Sequence, residues 1–190
     1  MAPVSELRLS LPVDLPAHDG VVLRGFDERD VAMVMNLATD PYLPLIGSLP
    51  GNADADQARE FIARQWGRLA QGAGYAFCAA DARTGEGLGT AGLWLVAGLS
   101  TGRAHVGYSV APRARGHGVA GSALTALTRF AWTIPELHRL EAYIEPWNVA
   151  SIGTAELGGY QREGLLRSHQ LIGDRRVDML LYAKLRPDPV

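Results

Sequence analysis

The chain of 190 residues has few of the residues that cross-link proteins or bind metals. Its single cysteine, Cys78, excludes an internal disulfide, and it lies in the apolar run YAFCAA, where we expect a buried, unreactive thiol. The five histidines show no metal-ligand spacing, and one cysteine cannot complete a zinc site. No metal site is therefore predicted.

The sequence also lacks a strong excess of charge and any long apolar run. Its formal net charge of −2 gives no basic footprint for nucleic acid or an anionic membrane. No stretch of about 18 residues is apolar throughout, and the proline-rich start MAPVSELRLSLPVDLP does not have the form of a signal peptide. We therefore expect a cytoplasmic protein with neither a nucleic-acid nor a membrane partner.

What the sequence does contain is enough apolar material for one core. Hydrophobic residues make up 47% of the chain and charged residues 20%. Residues 1–20 carry three prolines and are predicted to form a flexible arm. Residues 21–186 are predicted to form one domain, since no linker, repeat or low-complexity segment divides them.

Strand and helix signals are mixed along this domain. The predicted strands are 21–26, 75–81, 88–96, 104–110, 138–145, 160–172 and 175–185. The predicted helices are 29–38, a helix capped by Asp54 and Gln57, a helix between the glycines at 116–121 and Pro135, and 148–157. Residues 41–51 are predicted to be a loop. Short turns join the second, third and fourth strands, so these pair antiparallel. The expected fold class is α+β (mixed α/β), with a mostly antiparallel central sheet and helices on both faces.

The glycines at 116, 118 and 121 spell G-x-G-x-x-G, the fingerprint of a dinucleotide-binding loop. That interpretation is disfavoured, because about 75 residues with antiparallel connections precede the loop and too few βαβ units follow it. A pyrophosphate loop is the alternative. Gly116 and Gly118 let the backbone approach a ligand, and the helix that begins near Val119 and Ala120 points its N–H groups at an anion. The glycines alone also fit a turn with solvated arginines.

Four stretches of the chain decide between these alternatives by resemblance. In order they are VGYSVAPRARGHGVAGSAL, HRLEAYIEPWNVASI, GGYQREGLLR and VDMLLYAKL. Together they resemble the GNAT acyltransferase superfamily, and within it the RimJ/RimL-type branch of ribosomal-protein N-terminal acetyltransferases. The resemblance is clear over about residues 86–185 and weaker over VVLRGFDERDV near the start.

Two motifs make the resemblance specific. The acyl-CoA loop [Q/R]-x-x-G-x-[G/A] is satisfied in register by Arg113, Gly116 and Gly118. The later signature of the branch falls on Asn148, Ser151, Gly159-Tyr160 and Arg162-Glu163-Gly164. The resemblance implies a single GNAT-like domain that transfers an acetyl or other short acyl group from acyl-CoA to a primary amine. A protein N-terminal α-amine is the acceptor it favours. The alternatives are an acyltransferase for a small amine, an amino acid or an antibiotic, and a non-catalytic acyl-CoA sensor.

The resemblance also implies a set of residues that contact the acyl-CoA. They are Val110, Arg113, Arg115, Gly116, His117, Gly118, Val119, Ala120 and Asn148. The backbone N–H of Val110 would polarise the thioester carbonyl. Asn148 is also expected to be a helix N-cap.

Two residues are implied in proton transfer. His105 lies where the family often has a glutamate, and a neutral imidazole can accept a proton; an exposed sheet histidine is the alternative. Ser151 is placed to donate a proton to the departing sulfur, or else to satisfy a free N–H of the first helical turn.

Four further residues are candidates for binding the amine acceptor. Glu141, Tyr143 and Glu145 alternate onto one face of their strand, and Trp147 follows in a loop. Trp94 is expected to be a packing residue. The sequence decides neither the length of the acyl chain nor between a monomer and a homodimer.

Overall fold

A computed structural model describes residues 9–187 and contains one eight-stranded sheet in the order β1-β2-β3-β4-β5-β6-β8-β7. The strands are β1 (Ala17–His18), β2 (Val21–Arg24), β3 (Gly74–Asp81), β4 (Gly87–Leu95), β5 (Arg103–Val110), β6 (Arg139–Ile144), β7 (Gln161–Ile172) and β8 (Arg175–Leu185). The helices of the same residues are α1 (Val31–Leu37), α2 (Leu43–Ile46), α3 (Ala55–Ala70), α4 (Val119–Ala131) and α5 (Val149–Leu157).

Every neighbouring pair in the sheet is antiparallel except β5 with β6. The single parallel pair follows from the α4 crossover, since parallel strands need a long connection. The final hairpin turns at Gly173, where φ is +60°, and it is β8 rather than β7 that pairs with β6. The predicted mixed, mostly antiparallel fold is confirmed.

Two apolar clusters cover the two faces of the sheet. Alternate side chains of β3 separate them: Phe77 belongs to the cluster that contains α4, and Cys78 to the cluster that contains α1 and α3. The predicted capping box of α3 is present, because Asp54 accepts from the Gln57 N–H and the Gln57 side chain accepts from the Asp54 N–H. Helices therefore lie on both faces, as expected.

A buried ion pair fixes the start of α1 against β2. Arg24 donates to both oxygens of Asp30 at 2.8 Å, and the Asp30 side chain is fully buried. The Cys78 thiol lies 3.4 Å from the same carboxylate. Burial raises the pKa of the Cys78 thiol, and the negative charge of Asp30 raises it further. The expected buried, unreactive cysteine is confirmed.

The structure differs from the sequence prediction in two segments before α3. Residues 41–51 contain the one-turn helix α2, in which Pro44 occupies an early position that needs no N–H. The end of the predicted arm forms β1, which pairs Ala17 with Val22. The rest of the arm prediction falls partly on residues 1–8, which lie outside the described residues.

The strands β5 and β6 diverge, and this divergence creates the site. They pair only from Arg103–Arg139 to His105–Glu141. Beyond that point β5 stays paired with β4 as far as Val110, and β6 with β8 as far as Ile144. We call the His105–Glu141 end of this gap the vertex.

Candidate active site

A cleft of about 540 Å³ opens between the diverging strands. Its walls come from the end of β5, the loop before α4, the start of α5 and the segment before and within α2. Among the residues that line it are Asp40, Tyr42, Tyr108, Val110, Arg115, Gly116, Gly118, Val119, Ala120, Trp147, Asn148 and Ser151. The glycine loop and the Asn-x-x-Ser motif of the sequence therefore meet in one cleft.

The glycine loop leaves its backbone open to the cleft. Gly116 and Gly118 have φ of +81° and +75°, a conformation that favours glycine, and a Cβ at either position would meet no heavy atom within 4 Å. The first amide to bond back along α4 is that of Ser122, which donates to the Gly118 carbonyl. The N–H groups of Val119 and Ala120 therefore remain available at the positive end of the helix dipole. This cradle fits a pyrophosphate.

The arginines of the loop do not all face the cleft. Arg115 lines it and donates to the Asp40 carboxylate and, at 3.1 Å, to the Val110 carbonyl. Arg113 lines a different depression beside α1, and its backbone N–H donates to the Asn36 side chain. His117 is exposed and outside the cleft lining. Of these three predicted acyl-CoA contacts, only Arg115 therefore lines the cleft.

The backbone of β5 presents polar groups to the cleft. The Ala111 N–H donates to the Leu88 carbonyl at 2.9 Å, on the β4 side. Bonded and non-bonded residues alternate along an antiparallel ladder, so Tyr108 and Val110 turn their N–H groups away from β4. Past the vertex no strand of residues 9–187 pairs with them on that side. The Val110 N–H is thus free for a ligand, and so is the Tyr108 N–H.

The start of α5 brings a serine hydroxyl and a tyrosine hydroxyl to the cleft. Asn148 caps the helix, since its side chain accepts from the Ser151 N–H at 3.1 Å. The Ser151 hydroxyl lies within reach of the Tyr108 phenol, as does the hydroxyl of Thr154. The Tyr108 hydroxyl donates to the Ser151 carbonyl at 3.1 Å. Burial raises the pKa of Tyr108, so the phenol stays protonated at neutral pH.

A polar cluster fills the vertex on the face that also carries α1 and α3. Glu141 is 2% exposed and accepts from Arg103 at 2.9 and 3.1 Å, from Arg139 at 2.6 Å and from the Tyr143 hydroxyl at 3.0 Å. The imidazole of His105 lies 3.5 Å from the same carboxylate. The carboxylate of Glu141 is therefore fully engaged by the protein.

The protonation states of this cluster follow from its contacts. Burial alone would raise the pKa of Glu141, but hydrogen bonds from Arg103, Arg139 and Tyr143 outweigh it and lower the pKa to about 2. Burial lowers the pKa of His105, and the opposing effect of Glu141 is smaller. His105 is therefore a neutral imidazole at pH 7, able to accept a proton.

The remaining predicted acceptor residues tie two loops together. The Tyr42 hydroxyl donates to the Glu145 carboxylate, which is 8% exposed. The Tyr42 ring meets Trp147 edge to face, with the ring centroids 5.2 Å apart. Trp147 lines the cleft, whereas Glu145, Glu141 and Tyr143 do not. Of the four predicted acceptor residues, only Trp147 borders the cleft.

A second cavity of about 430 Å³ adjoins the cleft on the side of α2 and α3. The two spaces share Leu43, Ile46, Tyr108 and Ser109. The second cavity is lined mainly by apolar side chains, and no Asp or Glu lines it. Because it meets the cleft at β5, a molecule bound there reaches the same part of the strand. We call it the acceptor cavity.

Several site residues have no signal in the sequence. Asp40 and Tyr42 lie next to or in the predicted loop 41–51 and reach the cleft only through the chain fold. Tyr108 has a weak signal in the sequence, since it lies near the end of the predicted strand 104–110, which leads into the glycine loop. Trp94 was expected to pack in the core, but it is only partly buried and lines the acceptor cavity.

Two kinds of feature are absent from residues 9–187. No group of three or more His, Cys, Asp or Glu side chains in this range is arranged to hold a metal ion. No helix in the same range is both long and apolar enough to cross a bilayer.

Known proteins match this chain both in sequence and in structure. Residues 21–161 match the model of the acetyltransferase (GNAT) domain. The chain is 28% identical over 166 residues to the uncharacterized N-acetyltransferase p20 of Bacillus licheniformis, covering 87% of this chain and 93% of that protein. It is 30% identical over 118 residues to the ribosomal protein uS5-alanine N-acetyltransferase of Escherichia coli, covering 62% of this chain and 61% of that enzyme. The solved structure of Mycobacterium smegmatis RimJ in complex with CoA-disulfide superposes with a TM-score of 0.76 at 25% identity, covering 90% of this chain and 84% of that one.

Proposed function

We propose that this chain, which belongs to the GNAT acetyltransferase family, acetylates the N-terminal α-amine of a protein or peptide. Membership of the family makes it an acyl-CoA-dependent N-acetyltransferase. We propose in addition that the transferred group is acetyl, that the acceptor is an α-amine and that individual residues of the cleft have particular roles.

The observation that carries the proposal is the open glycine loop at the mouth of the cleft. Its open N–H groups and the positive end of the α4 dipole form a better site for a pyrophosphate than the other polar groups of the cleft do. From the loop, the cleft runs along β5 towards the vertex, so a CoA bound by its pyrophosphate has a path between the strands. The M. smegmatis RimJ structure, which holds CoA-disulfide, supports this ligand.

Acyl-CoA supplies the thioester when bound, and the chain supplies groups around it. The N–H groups of Val110 and Tyr108 face the cleft, and either can donate to the thioester oxygen as it gains charge. Asn148 holds the first turn of α5 in place through its cap bond to Ser151. Arg115 is available for a phosphate once it leaves Asp40.

Proton removal from the amine is assigned to His105. It lies at the vertex, its lowered pKa keeps it neutral, and Trp94, opposite it in the ladder, borders the acceptor cavity. Glu141 is a positioning residue in this account. Its carboxylate lies 3.5 Å from the His105 ring and is itself held by two arginines.

Proton delivery to the departing sulfur is assigned to Ser151. Ser151 lines the cleft, and its hydroxyl lies beside the phenol of Tyr108, which lines the same cleft. The Tyr108 hydroxyl, bonded to the Ser151 carbonyl, is the second donor within the same cleft. The sequence motif Asn-x-x-Ser, shared with the RimJ/RimL branch, supports the serine.

The choice of an α-amine rests on two considerations. An α-amine has a pKa near 8, about two units below that of a lysine, so a neutral histidine can deprotonate it at pH 7. The E. coli relative acts, by its name, on an alanine of ribosomal protein uS5. A small-molecule amine is the alternative acceptor, and a sensor that binds acyl-CoA without turnover is the alternative class.

An acceptor panel tests the proposal. Thiol release from acetyl-CoA would be followed with N-terminally free peptides, their N-blocked counterparts that keep an internal lysine, free amino acids and polyamines. The proposal predicts release with the free peptides and none with the blocked ones. Release only with small amines would replace the acceptor class. Acetyl-CoA binding without release for any acceptor would favour the sensor.

A further inference from the structure

The floor of the acceptor cavity is an indole that lies flat on the sheet. Gly92 of β4 and Gly107 of β5 are directly paired across the ladder. A Cβ at Gly92 would lie 2.5 Å from Trp94 Cζ2, and one at Gly107 would lie 2.9 Å from Trp94 Cζ3. Only glycine at both positions leaves room for the ring, so the sheet is built to receive Trp94 there.

The polar edge of this indole is not open to the cavity. The Trp94 Nε1–H is shielded from solvent and has no acceptor among residues 9–187, so a ligand in the cavity does not reach it. Trp94 therefore lines the cavity with apolar ring surface.

A cation stands over the same indole. The guanidinium carbon of Arg68, from the last turn of α3, lies 5.9 Å from the centre of the Trp94 ring. Arg68 lines the acceptor cavity and forms no ion pair with any described carboxylate. The other arginines at the site differ in this respect. Arg115 is paired with Asp40, and Arg103 with Glu141.

The chemistry of the cavity is therefore one-sided. Its charged lining is Arg68 alone, and its neutral polar lining includes Gln65, Ser48 and Ser109. Among the described residues of the lining, an ammonium group that stayed charged would find no carboxylate, whereas a carboxylate would find the guanidinium of Arg68. In a partly desolvated cavity such charge-assisted bonds are stronger than neutral ones.

We propose that the amine acceptor carries a carboxylate, and that Arg68, held above the Trp94 ring, binds it in the acceptor cavity. The inference rests on the proposed function and specifies its acceptor. The apolar walls accommodate the rest of the acceptor, as in most small-ligand sites. Two sources share this chemistry: the α-carboxylate of a free amino acid, and an acidic side chain near the N-terminus of a peptide.

Matched acceptor pairs test the inference and separate the two sources. The pairs are leucine with leucinamide, Ala-Glu-Leu-amide with Ala-Gln-Leu-amide, and Ala-Leu-Glu-amide with Ala-Leu-Gln-amide. Each pair exchanges one carboxylate for an amide. In the leucine pair the exchange also lowers the pKa of the reacting amine, so that pair is compared through KM and Kd rather than through rate. We expect at least one pair to favour the carboxylate by about tenfold in kcat/KM, expressed in KM, because a charge-assisted bond is lost in the amide. The pair that responds identifies the source.

Variants show whether Arg68 is responsible. Arg68→Gln should abolish the preference, Arg68→Lys should retain part of it, and Arg83→Gln, in the exposed β3–β4 turn, should leave it unchanged. Equal KM values for both members of every pair, or a preference that survives Arg68→Gln, would overturn the inference while thiol release upholds the proposed function.

Binding gives an independent readout. Calorimetric titration of the same pairs, with CoA present, measures the preference without turnover. If no acceptor releases thiol, the proposed function fails, and a carboxylate preference in Kd that disappears in Arg68→Gln still supports the inference. Equal Kd values within every pair would contradict it.

Discussion

Arg115 and Asp40, which are 75 residues apart in the sequence, form an ion pair in the cleft that we assign to acyl-CoA. Asp40 is 13% exposed, and its other oxygen accepts from the Tyr42 N–H at 2.8 Å. The pair couples the segment before α2 to the glycine loop. It also places a carboxylate where phosphates are expected, so Asp40 competes with them for Arg115.

Replacement of Asp40 by Asn should therefore strengthen CoA binding. Asparagine keeps an acceptor for the Tyr42 N–H but removes the charge that occupies Arg115 and repels phosphate. We expect Kd for CoA to fall severalfold, with a steeper dependence on salt, since Arg115 then contributes its full charge. Calorimetry at two ionic strengths measures both. Asp56→Asn, at an exposed position of α3, is the control. Weaker binding by Asp40→Asn would show that Asp40 positions Arg115 rather than competing for it.

The pH dependence of turnover tests His105. Burial lowers the pKa of its imidazole below the ordinary value of 6.5. Only the neutral ring accepts a proton, so the acidic limb of kcat/KM should have its midpoint below that of an ordinary histidine. His105→Gln should lower kcat/KM and remove this acidic limb, whereas His18→Gln, in the remote strand β1, should leave the profile intact. A His105→Gln profile with the wild-type height and limb would remove His105 from the mechanism.

Ser151→Ala separates a proton donor from a structural hydroxyl. The cap bond to Asn148 uses the Ser151 backbone N–H, so removing the hydroxyl leaves the cap intact. We therefore expect Tm and Kd for CoA to stay near the wild-type values while kcat falls about a hundredfold. Ser100→Ala, on an exposed turn, is the matched control. A variant that melts early and turns over normally would assign the serine to stability.

Glu141 should make the fold sensitive to acid. Its pKa is about 2 in the folded protein against an ordinary value of 4.5, so its carboxylate stabilises the fold above pH 4.5 and loses that contribution as the pH falls towards 2. The linked free energy is at most about 3 kcal/mol, and solvent screening reduces it because Arg103 is 45% exposed.

Denaturant unfolding between pH 7 and pH 2 measures this contribution. The difference in unfolding free energy between the wild type and Glu141→Gln should be largest above pH 4.5 and shrink below it. Glu60→Gln, at a mostly exposed position of α3, should show a small difference at every pH. A Glu141→Gln deficit that is independent of pH would contradict the assignment.

Local patterns predicted the parts of the molecule that local interactions determine. The capping box of Asp54 and Gln57, the cap of Asn148 and the glycine loop each depend on residues within a few positions of one another. The short turns between β3, β4 and β5 dictated antiparallel pairing. These features were therefore visible in the sequence.

Long-range contacts were not visible, and they complete the site. Tyr42 reaches Glu145 across 103 residues, from a segment whose prolines and glycines predicted a loop. Glu141 was predicted to bind the amine acceptor, because the sequence did not show that arginines from β5 and β6 enclose it. The position of β8 inside the sheet depends on which hairpin strand meets β6, and alternation alone does not decide that.

Binding of the acyl-CoA pyrophosphate by the glycine loop can be tested with a substitution at Gly118. Calorimetric Kd values for CoA would be compared for wild type, Gly118→Asp, Gly118→Asn and Gly98→Asp. Gly98 has φ of +82° and open space around its Cβ, like Gly118, but lies in the β4–β5 loop, so it controls for backbone strain.

We expect a Gly118→Asp variant whose Tm shows that it is folded to lose at least about a hundredfold in CoA affinity, because the substitution places a negative charge against the phosphates. Gly118→Asn should lose less, and Gly98→Asp should bind as the wild type does. A folded Gly118→Asp protein that binds CoA with wild-type affinity would show that the glycine loop does not bind the pyrophosphate.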